Sequence, residues 1–597
     1  MAIKERLKNL RQLMTQKKVD AIIIPTSDYH QSEYVGSHFK AREFMSGFTG
    51  SAGVLVVTAT EAGLWTDGRY FIQAAHQLEG TTIELMKQGE EGVPSIEEFL
   101  ENRLKSGQIV AFDGKVLSAS EGIDLEQRLS KKGITIYYSE DLVDAIWIDR
   151  DSYSMEPAFL LEEQYSGKSA VAKIEELRNV MREEQTDVHI LTTLDDVAWL
   201  LNIRGNDVPY NPVILSYVMV TLENVYFYVE AAKIDEKVKQ YLAQIQVTLK
   251  PYDALYEDVT KIAKDQSVLY DLTKVNYAIY KSIPVEVKRV NKINPTILAK
   301  AIKNPVEQDN LKKAHIKDGV AVTKFMYWLK TNIGKIAMTE VTASDYLEEC
   351  RKAGEGFTQL SFNTISAYNA NAAMMHYSAT EDSCAKLEPQ GMLLVDSGGQ
   401  YYEGTTDVTR TFILGPISDE MRKHFTTTVK SMLNLQNANF LYGCNGQNLD
   451  ILARGPFWDM NLDYKCGTGH GVGYMLNVHE APNGFRWKKV PERNDSCILE
   501  EGMVTTDEPG VYIEGSHGIR IENELLCKKG THNEYGQYMH FEPVTMVPID
   551  LDGIDTNYFT TVDKARLNAY HKLVFETISP YFEGEELAWL KKITREI

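Results

Sequence analysis

Two stretches of this 597-residue chain read alike, one beginning at Leu10 and the other at Leu177. Leu10-Arg11-Gln12-Leu13-Met14 leads into the apolar run Ala21-Ile22-Ile23-Ile24 and ends at Thr26-Ser27-Asp28. Leu177-Arg178-Asn179-Val180-Met181 leads into Val188-His189-Ile190-Leu191 and ends at Thr193-Leu194-Asp195. Each copy predicts a helix feeding a short buried strand with a polar loop at its carboxyl end, the unit of an α/β domain. Repetition at this scale predicts two related domains, residues 1–155 and 156–304, joined across the polar segment Asp149–Ser154. A third begins at 305, where Pro305 opens a long helical pattern through Ala314, Val320, Phe325 and Trp328. It runs to 597 and ends in a helical extension carrying Leu567, Tyr570, Leu573, Val574 and Ile578 at helical spacing.

Composition excludes several classes of partner. The charge of −21, from 63 basic and 84 acidic residues, disfavours a nucleic-acid partner, which needs a basic face, and no Lys/Arg block is long enough to suggest one. No segment approaches the ~20 apolar residues of a membrane span. The amino terminus, from Met1, reads as a charged amphipathic helix with no apolar signal core. All six cysteines lie between 350 and 527 without a C-x-x-C pair, which favours reduced thiols and a cytoplasmic protein.

Chemistry concentrates in the third domain. The run Gly467-Thr468-Gly469-His470-Gly471-Val472-Gly473 forfeits side-chain burial, so its backbone must turn or approach another group closely. Upstream, Met392-Leu393-Leu394-Val395 delivers Asp396, and Thr405–Thr411 alternates like a second strand carrying Asp407. A hairpin centred near Tyr401 and Tyr402 would set Asp396 and Asp407 face to face. Taken alone, that pair also reads as a solvated acidic hairpin. Downstream, Met503–Thr506 delivers Glu508 and Ile519-Arg520-Ile521 delivers Glu522, opposite one another about a turn at Gly515. Arg520 could neutralise one of these glutamates, leaving a structural salt bridge as the alternative. Together, two Asp, two Glu and His470 suit borderline divalent ions such as Mn²⁺, Co²⁺ or Zn²⁺, and four carboxylates fit a two-ion site. His376 and His479, in small-residue or asparagine-containing loops, are further candidates for catalysis.

These residues resemble a known family. Asp396-Ser397-Gly398-Gly399, Thr406-Asp407-Val408-Thr409-Arg410, Gly469-His470-Gly471, Asp507-Glu508-Pro509-Gly510 and Ile519-Arg520-Ile521-Glu522-Asn523 look like the catalytic domain of the methionine aminopeptidase/prolidase/creatinase group, the pita-bread fold. His30–Tyr34, Ser46–Gly53, Trp65–Phe71 and Asp196–Gly205 with Asn211-Pro212 resemble the amino-terminal domains of large three-domain aminopeptidases P. The fold class expected is therefore α/β (α+β): two creatinase-like α/β domains followed by a pita-bread catalytic domain.

The resemblance implies an aminopeptidase that takes peptides with proline second, two Mn²⁺ per subunit (Co²⁺ or Zn²⁺ as substitutes) and a homodimer. It implies Asp396, Asp407, His470, Glu508 and Glu522 as metal ligands, with Asp407 and Glu522 bridging. His376 and His479 would hold the scissile carbonyl, Glu508 would move the proton, and Arg69, with Glu33 beside it, would bind substrate. The chain departs from the pattern at Cys466, where many relatives carry a histidine that supports substrate binding. Rival readings are a prolidase acting on Xaa-Pro dipeptides, a metal-free scaffold, and a creatinase-like amidinohydrolase. Three domains disfavour the first, and an intact ligand set disfavours the others.

Overall fold

A computed structural model describes residues 2–489 and 496–597. Met1, from which the sequence predicts the amino-terminal helix, lies outside the described residues; the helix spans Ile3–Lys17. The chain divides into two compact units, Met1–Leu161 with Lys168–Thr296, and Glu162–Gly167 with Ile297–Ile597.

The first unit contains the repeat twice over. One six-stranded sheet has the order Glu84–Lys87, Ala62–Thr66, Val54–Thr58, Ala21–Pro25, Ile109–Ala111, Thr135–Tyr137. The other has the order Val247–Lys250, Val225–Val229, Ser216–Thr221, Val188–Leu191, Ser267–Tyr270, Lys288–Asn291. In both, the strand fed by the repeated helix pairs antiparallel on one side and parallel on the other. Ile22 and Ile24 face one hydrophobic cluster while Ala21 and Ile23 face another, because successive side chains leave a strand on opposite sides. His30, at the end of the first copy, is buried within this unit. Its ring nitrogens contact the Thr192 carbonyl at 2.7 Å and the Tyr252 hydroxyl at 2.6 Å.

The second unit opens on the helix Pro305–Asn332. Asn304 caps it, accepting from the amides of Val306 at 3.0 Å and Glu307 at 3.1 Å, and Glu307 reaches back to the Asn304 amide at 2.9 Å. Such a reciprocal cap is worth about 1 kcal/mol and fixes where the helix starts. Behind this helix and Glu340–Lys352 lies a three-stranded sheet, Ile365–Tyr368, Met392–Ser397 and Val408–Ile413. A six-stranded antiparallel sheet follows, in the order Asn439–Leu441, Gly536–Pro543, Asn523–Asn533, Val504–Asp507, Gly469–Gly471, Glu480–Phe485. The helical extension belongs to this unit: Leu567, Tyr570, Val574 and Ile578 are buried against Phe425, Val429, Met432 and Leu433. Leu573, expected on the same face, is 38% exposed. At ~1.5–3 kcal/mol for each large apolar side chain buried, this contact makes the extension part of the core.

Candidate metal centre

Four strand ends and one strand middle deliver the acidic residues and the imidazole. Asp396 is the fifth residue of Met392–Ser397, and Asp407 immediately precedes Val408–Ile413. The two strands pair antiparallel, but in a register that sets Asp396 opposite Thr409 rather than Asp407. The hairpin turns at Tyr402 and Glu403, with Tyr401 paired to Gly404, one residue beyond the centre the sequence suggests. Gly404 lies at φ 141°, and a Cβ there would come within 2.6 Å of Leu311. The helix Pro305–Asn332 thus fixes the turn. A two-residue offset keeps Asp396 and Asp407 on one face, as diagonal neighbours.

Glu508 and Glu522 do stand opposite one another. Val504–Asp507 pairs with Leu526 back to Asn523, and Gly510–Ile513 pairs with Arg520 back to His517, all in one continuous register. At the junction both glutamates turn away from their own ladder. The Glu508 amide donates to the Thr468 carbonyl at 2.8 Å, and the Glu522 amide donates to the Thr409 carbonyl at 3.1 Å. Each glutamate is thereby tied to another element of the site.

His470 is the middle residue of Gly469–Gly471. Its glycine neighbours now have a reason: a Cβ at Gly469 would lie 1.8 Å from the Thr506 carbonyl oxygen. The His470 Nδ1 sits 2.9 Å from the Gly471 carbonyl, which makes Nδ1 the protonated nitrogen and leaves the Nε2 lone pair free to coordinate. Nε2 lies 3.5 Å from Asp407 Oδ2 and 3.6 Å from Glu508 Oε1. Asp407, His470 and Glu522 each offer a ligand atom, all within 4.8 Å of one another.

The electrostatics are those of a cation site. Burial pushes the Asp407 carboxyl well above its ordinary range, and Asp396, Glu508 and Glu524 push it further. Burial does the same to Glu522, followed by Asp407, Glu508 and Asp396. Grouped buried carboxylates are costly unless protonated or paired with a cation. Asp396 Oδ1 is buried without a hydrogen-bond partner. A donor set of four carboxylates and one neutral imidazole nitrogen fits borderline divalent ions.

Among the described residues the ion pair of Arg520 is with Asp396, not with the Glu508 or Glu522 considered from sequence. Its Nη2 lies 2.6 Å from Asp396 Oδ2, and its Nη1 donates to Tyr512 Oη at 2.7 Å. Burial opposes its charge, but Tyr512, Asp396 and Glu508 outweigh that and hold it firmly protonated. Sequence reading missed Thr409, whose hydroxyl donates to Glu522 Oε2 at 2.6 Å. It also missed Glu524, which accepts from the Asp407 amide at 2.7 Å and lies 3.0 Å from His315 Nε2. Both sit two positions from a candidate ligand, so strand alternation puts them on the ligand face; that was the available signal.

The remaining candidates fall as follows. His479 is half-buried and its ring meets that of His470 edge-on, centroids 4.3 Å apart at 89°. Its neighbour Glu480 is buried and paired with Lys303 and, at 3.5 Å, with Lys300. His376 is half-buried in a turn between Ile365–Tyr368 and Met392–Ser397. Arg69 belongs to the first unit, where its Nε and Nη2 grip Asp67 at 2.8 and 2.7 Å. Glu33 also lies in that unit and adds to the field that keeps Arg69 protonated. Cys466 borders the core of the second unit, and burial, then Glu508, pushes its thiol up to about 11. It stays a neutral thiol at neutral pH.

Fold and site together define a metal-dependent hydrolase. Residues 6–146 and 149–307 match the creatinase/prolidase N-terminal domain, residues 309–529 match metallopeptidase family M24, and residues 537–597 match the C-terminal region of that peptidase. A probable Xaa-Pro aminopeptidase P of Tuber melanosporum is 39% identical, covering 99% of both chains. One from Pyricularia oryzae is 40% identical, covering 99% of this chain and 98% of its own. The crystal structure of an X-prolyl aminopeptidase from Caenorhabditis elegans, described as a cytosolic enzyme with a di-nuclear active site, superimposes with a TM-score of 0.95. It is 33% identical and covers all of both chains. The chain therefore belongs to metallopeptidase family M24 and, within it, to the three-domain Xaa-Pro aminopeptidases P. None of its described helices is long and apolar enough to cross a membrane.

Proposed function

We propose that this chain is a cytoplasmic dinuclear-metal aminopeptidase that removes the first residue from peptides with proline in second position. The observation that carries the reading is the convergence of Asp407, His470 and Glu522 within 4.8 Å, with Asp396 and Glu508 in electrostatic reach. Asp396, Asp407, His470, Glu508 and Glu522 would hold two Mn²⁺ ions, with Asp407 and Glu522 shared between them. When bound, the pair supplies hydroxide near neutral pH and a Lewis acid for the peptide carbonyl.

The chain's own groups do the rest. His376 and His479 donate to the scissile carbonyl oxygen and hold the negative charge that grows on it, a service usually worth ~2.7–4 kcal/mol per donor. Glu508 takes the proton of the attacking water and delivers it to the departing proline nitrogen. Arg69 binds the substrate. An Xaa-Pro bond has no amide hydrogen, so recognition must rest on the carbonyl and the ring rather than on a hydrogen bond to P1′ nitrogen. The proposed domain division falls at 155/156 and 304/305; family matches over 6–146 and 149–307 support two amino-terminal domains of about this extent.

A homodimer is part of the same proposal. On the helix Gly446–Trp458, Ile451 and Trp458 are seven residues apart and share a face; they are 46% and 40% exposed. Leu452 and Trp487 extend this apolar surface, with the Trp487 ring edge-on to Trp458 at 5.5 Å. Self-association would cover it. Sedimentation should give a dimer for the native chain and a monomer for Trp458→Glu.

The test of the activity is a comparison of substrates on manganese-loaded protein. Xaa-Pro-Yaa tripeptides should be cleaved and Xaa-Pro dipeptides left intact. Cleavage of the dipeptides alone would make the chain a prolidase.

A further inference from the structure

Glu340 is the first residue of the helix Glu340–Lys352 and is fully buried. Its carboxylate accepts four hydrogen bonds. Oε1 takes the Tyr368 amide at 2.6 Å and Asn371 Nδ2 at 2.9 Å; Oε2 takes the Tyr377 hydroxyl at 2.8 Å and the Ala385 amide at 2.7 Å. A carboxylate has roughly four acceptor positions, so no lone pair remains for water or substrate. The helix amino terminus favours the charge where it sits. This group is therefore spent on holding its four donors, and all four lie in or beside the segment that carries His376.

Within that segment the Tyr377 amide donates to the Met374 carbonyl at 3.1 Å, which closes a four-residue turn with His376 third. The Tyr377 ring packs beside Ala367 and Leu394 on the sheet and beside Ala372 in the helical turn Asn369–Ala373. Tyr377 is thus fixed at its backbone, its ring and its hydroxyl, and His376 is one peptide bond away. We propose that Glu340 and Tyr377 are positioning residues that fix His376 toward the reacting carbonyl. The proposal rests on the functional reading above, in which His376 serves that carbonyl.

Tyr377→Phe deletes one donor and keeps the ring. Glu340→Gln sets an amide donor against backbone donors that cannot reverse. On the metal-loaded full chain, Tyr377→Phe should lower kcat about tenfold and Glu340→Gln about a hundredfold, with KM changed by less than roughly twofold and bound metal unchanged. In a His376→Ala background, Tyr377→Phe should have no further effect on kcat, because it acts only through the missing ring. Hydrogen exchange should quicken in the Tyr377→Phe peptide spanning 374–385 and nowhere else, a reading that stands even if Glu340→Gln fails to fold.

Effects that multiply in the double variant, wild-type kcat in Tyr377→Phe, or unchanged exchange over 374–385 would overturn the positioning role. If His376→Ala cripples tripeptide cleavage while the two effects multiply, only the positioning role falls. A wild-type chain that leaves tripeptides intact, or a His376→Ala variant with full kcat, brings down the functional reading and this proposal with it.

Discussion

Arg520 Nη2 lies 2.6 Å from Asp396 Oδ2 in a buried setting, so one carboxylate of the proposed metal centre has a permanent positive partner. The same guanidinium reaches the Thr409 hydroxyl with Nε at 3.2 Å and Tyr512 Oη with Nη1 at 2.7 Å. Breaking a buried pair by removing one member costs about 3–5 kcal/mol, because the other is left charged and alone. Arg520→Gln should therefore lower the melting temperature and bound metal together. Arg520→Lys keeps the charge but loses the planar fork, and should recover stability more than activity. Equal activity in wild type and Arg520→Lys would show that the fork is dispensable.

Thr409 holds Glu522 twice, through its hydroxyl and through its carbonyl. Thr409→Val removes the first contact at nearly constant volume. Partners of ligating groups are typically worth 10–100-fold in metal affinity, so Mn²⁺ affinity should fall by about that factor while the fold persists. Competition with a calibrated chelator measures it. Unchanged affinity would mean that the backbone contact alone suffices.

His479 meets the His470 ring edge-on, yet is assigned to the substrate and not to the metal. His479→Ala should lower kcat by about 10²–10³ with metal content intact. Loss of metal in this variant would make His479 a ligand or a ligand's support.

The site and the fold were unequally legible in the sequence. Glu508 and Glu522 could be paired because Gly515 marks the hairpin centre and the register is unbroken on both sides of it. Asp396 and Asp407 were misplaced by one register step, because the turn is set by Gly404 against Leu311, a contact nearly a hundred residues away in sequence. Local pattern carries no trace of such a constraint. The repeat in the first unit was visible because apolar strand runs are local. Glu340 was invisible, since its meaning lies in four donors brought to it by the fold. Arg520 was visible as a charge but not as the partner of Asp396.

A buried pair of histidines gives the second unit an acid weakness. His424 Nδ1 lies 2.9 Å from His517 Nε2, and His517 Nδ1 lies 2.8 Å from Ser516 Oγ. Burial, then His424, pushes His517 down to about 4, with Glu420 opposing; burial also lowers His424, with Glu420 and Lys423 pulling in opposite directions. An unfolded histidine titrates near 6.5, so between those values the unfolded chain binds the extra proton. Stability from this group is complete above about pH 6.5 and is lost as pH falls toward 4, on the order of 3 kcal/mol. The apparent melting temperature should drop over that window and drop less in His517→Gln. Parallel pH profiles for the two proteins would refute the assignment.

The two-ion site is tested by the number of ions that the chelator-stripped protein binds, measured by equilibrium dialysis against Mn²⁺ in parallel with tripeptide cleavage. Two ions per chain should bind, with activity returning as they do, and both should be lost in Asp407→Asn and Glu522→Gln if these carboxylates are shared as proposed. Full activity with no bound metal, or two ions retained when Asp407 and Glu522 are both neutralised, would contradict it.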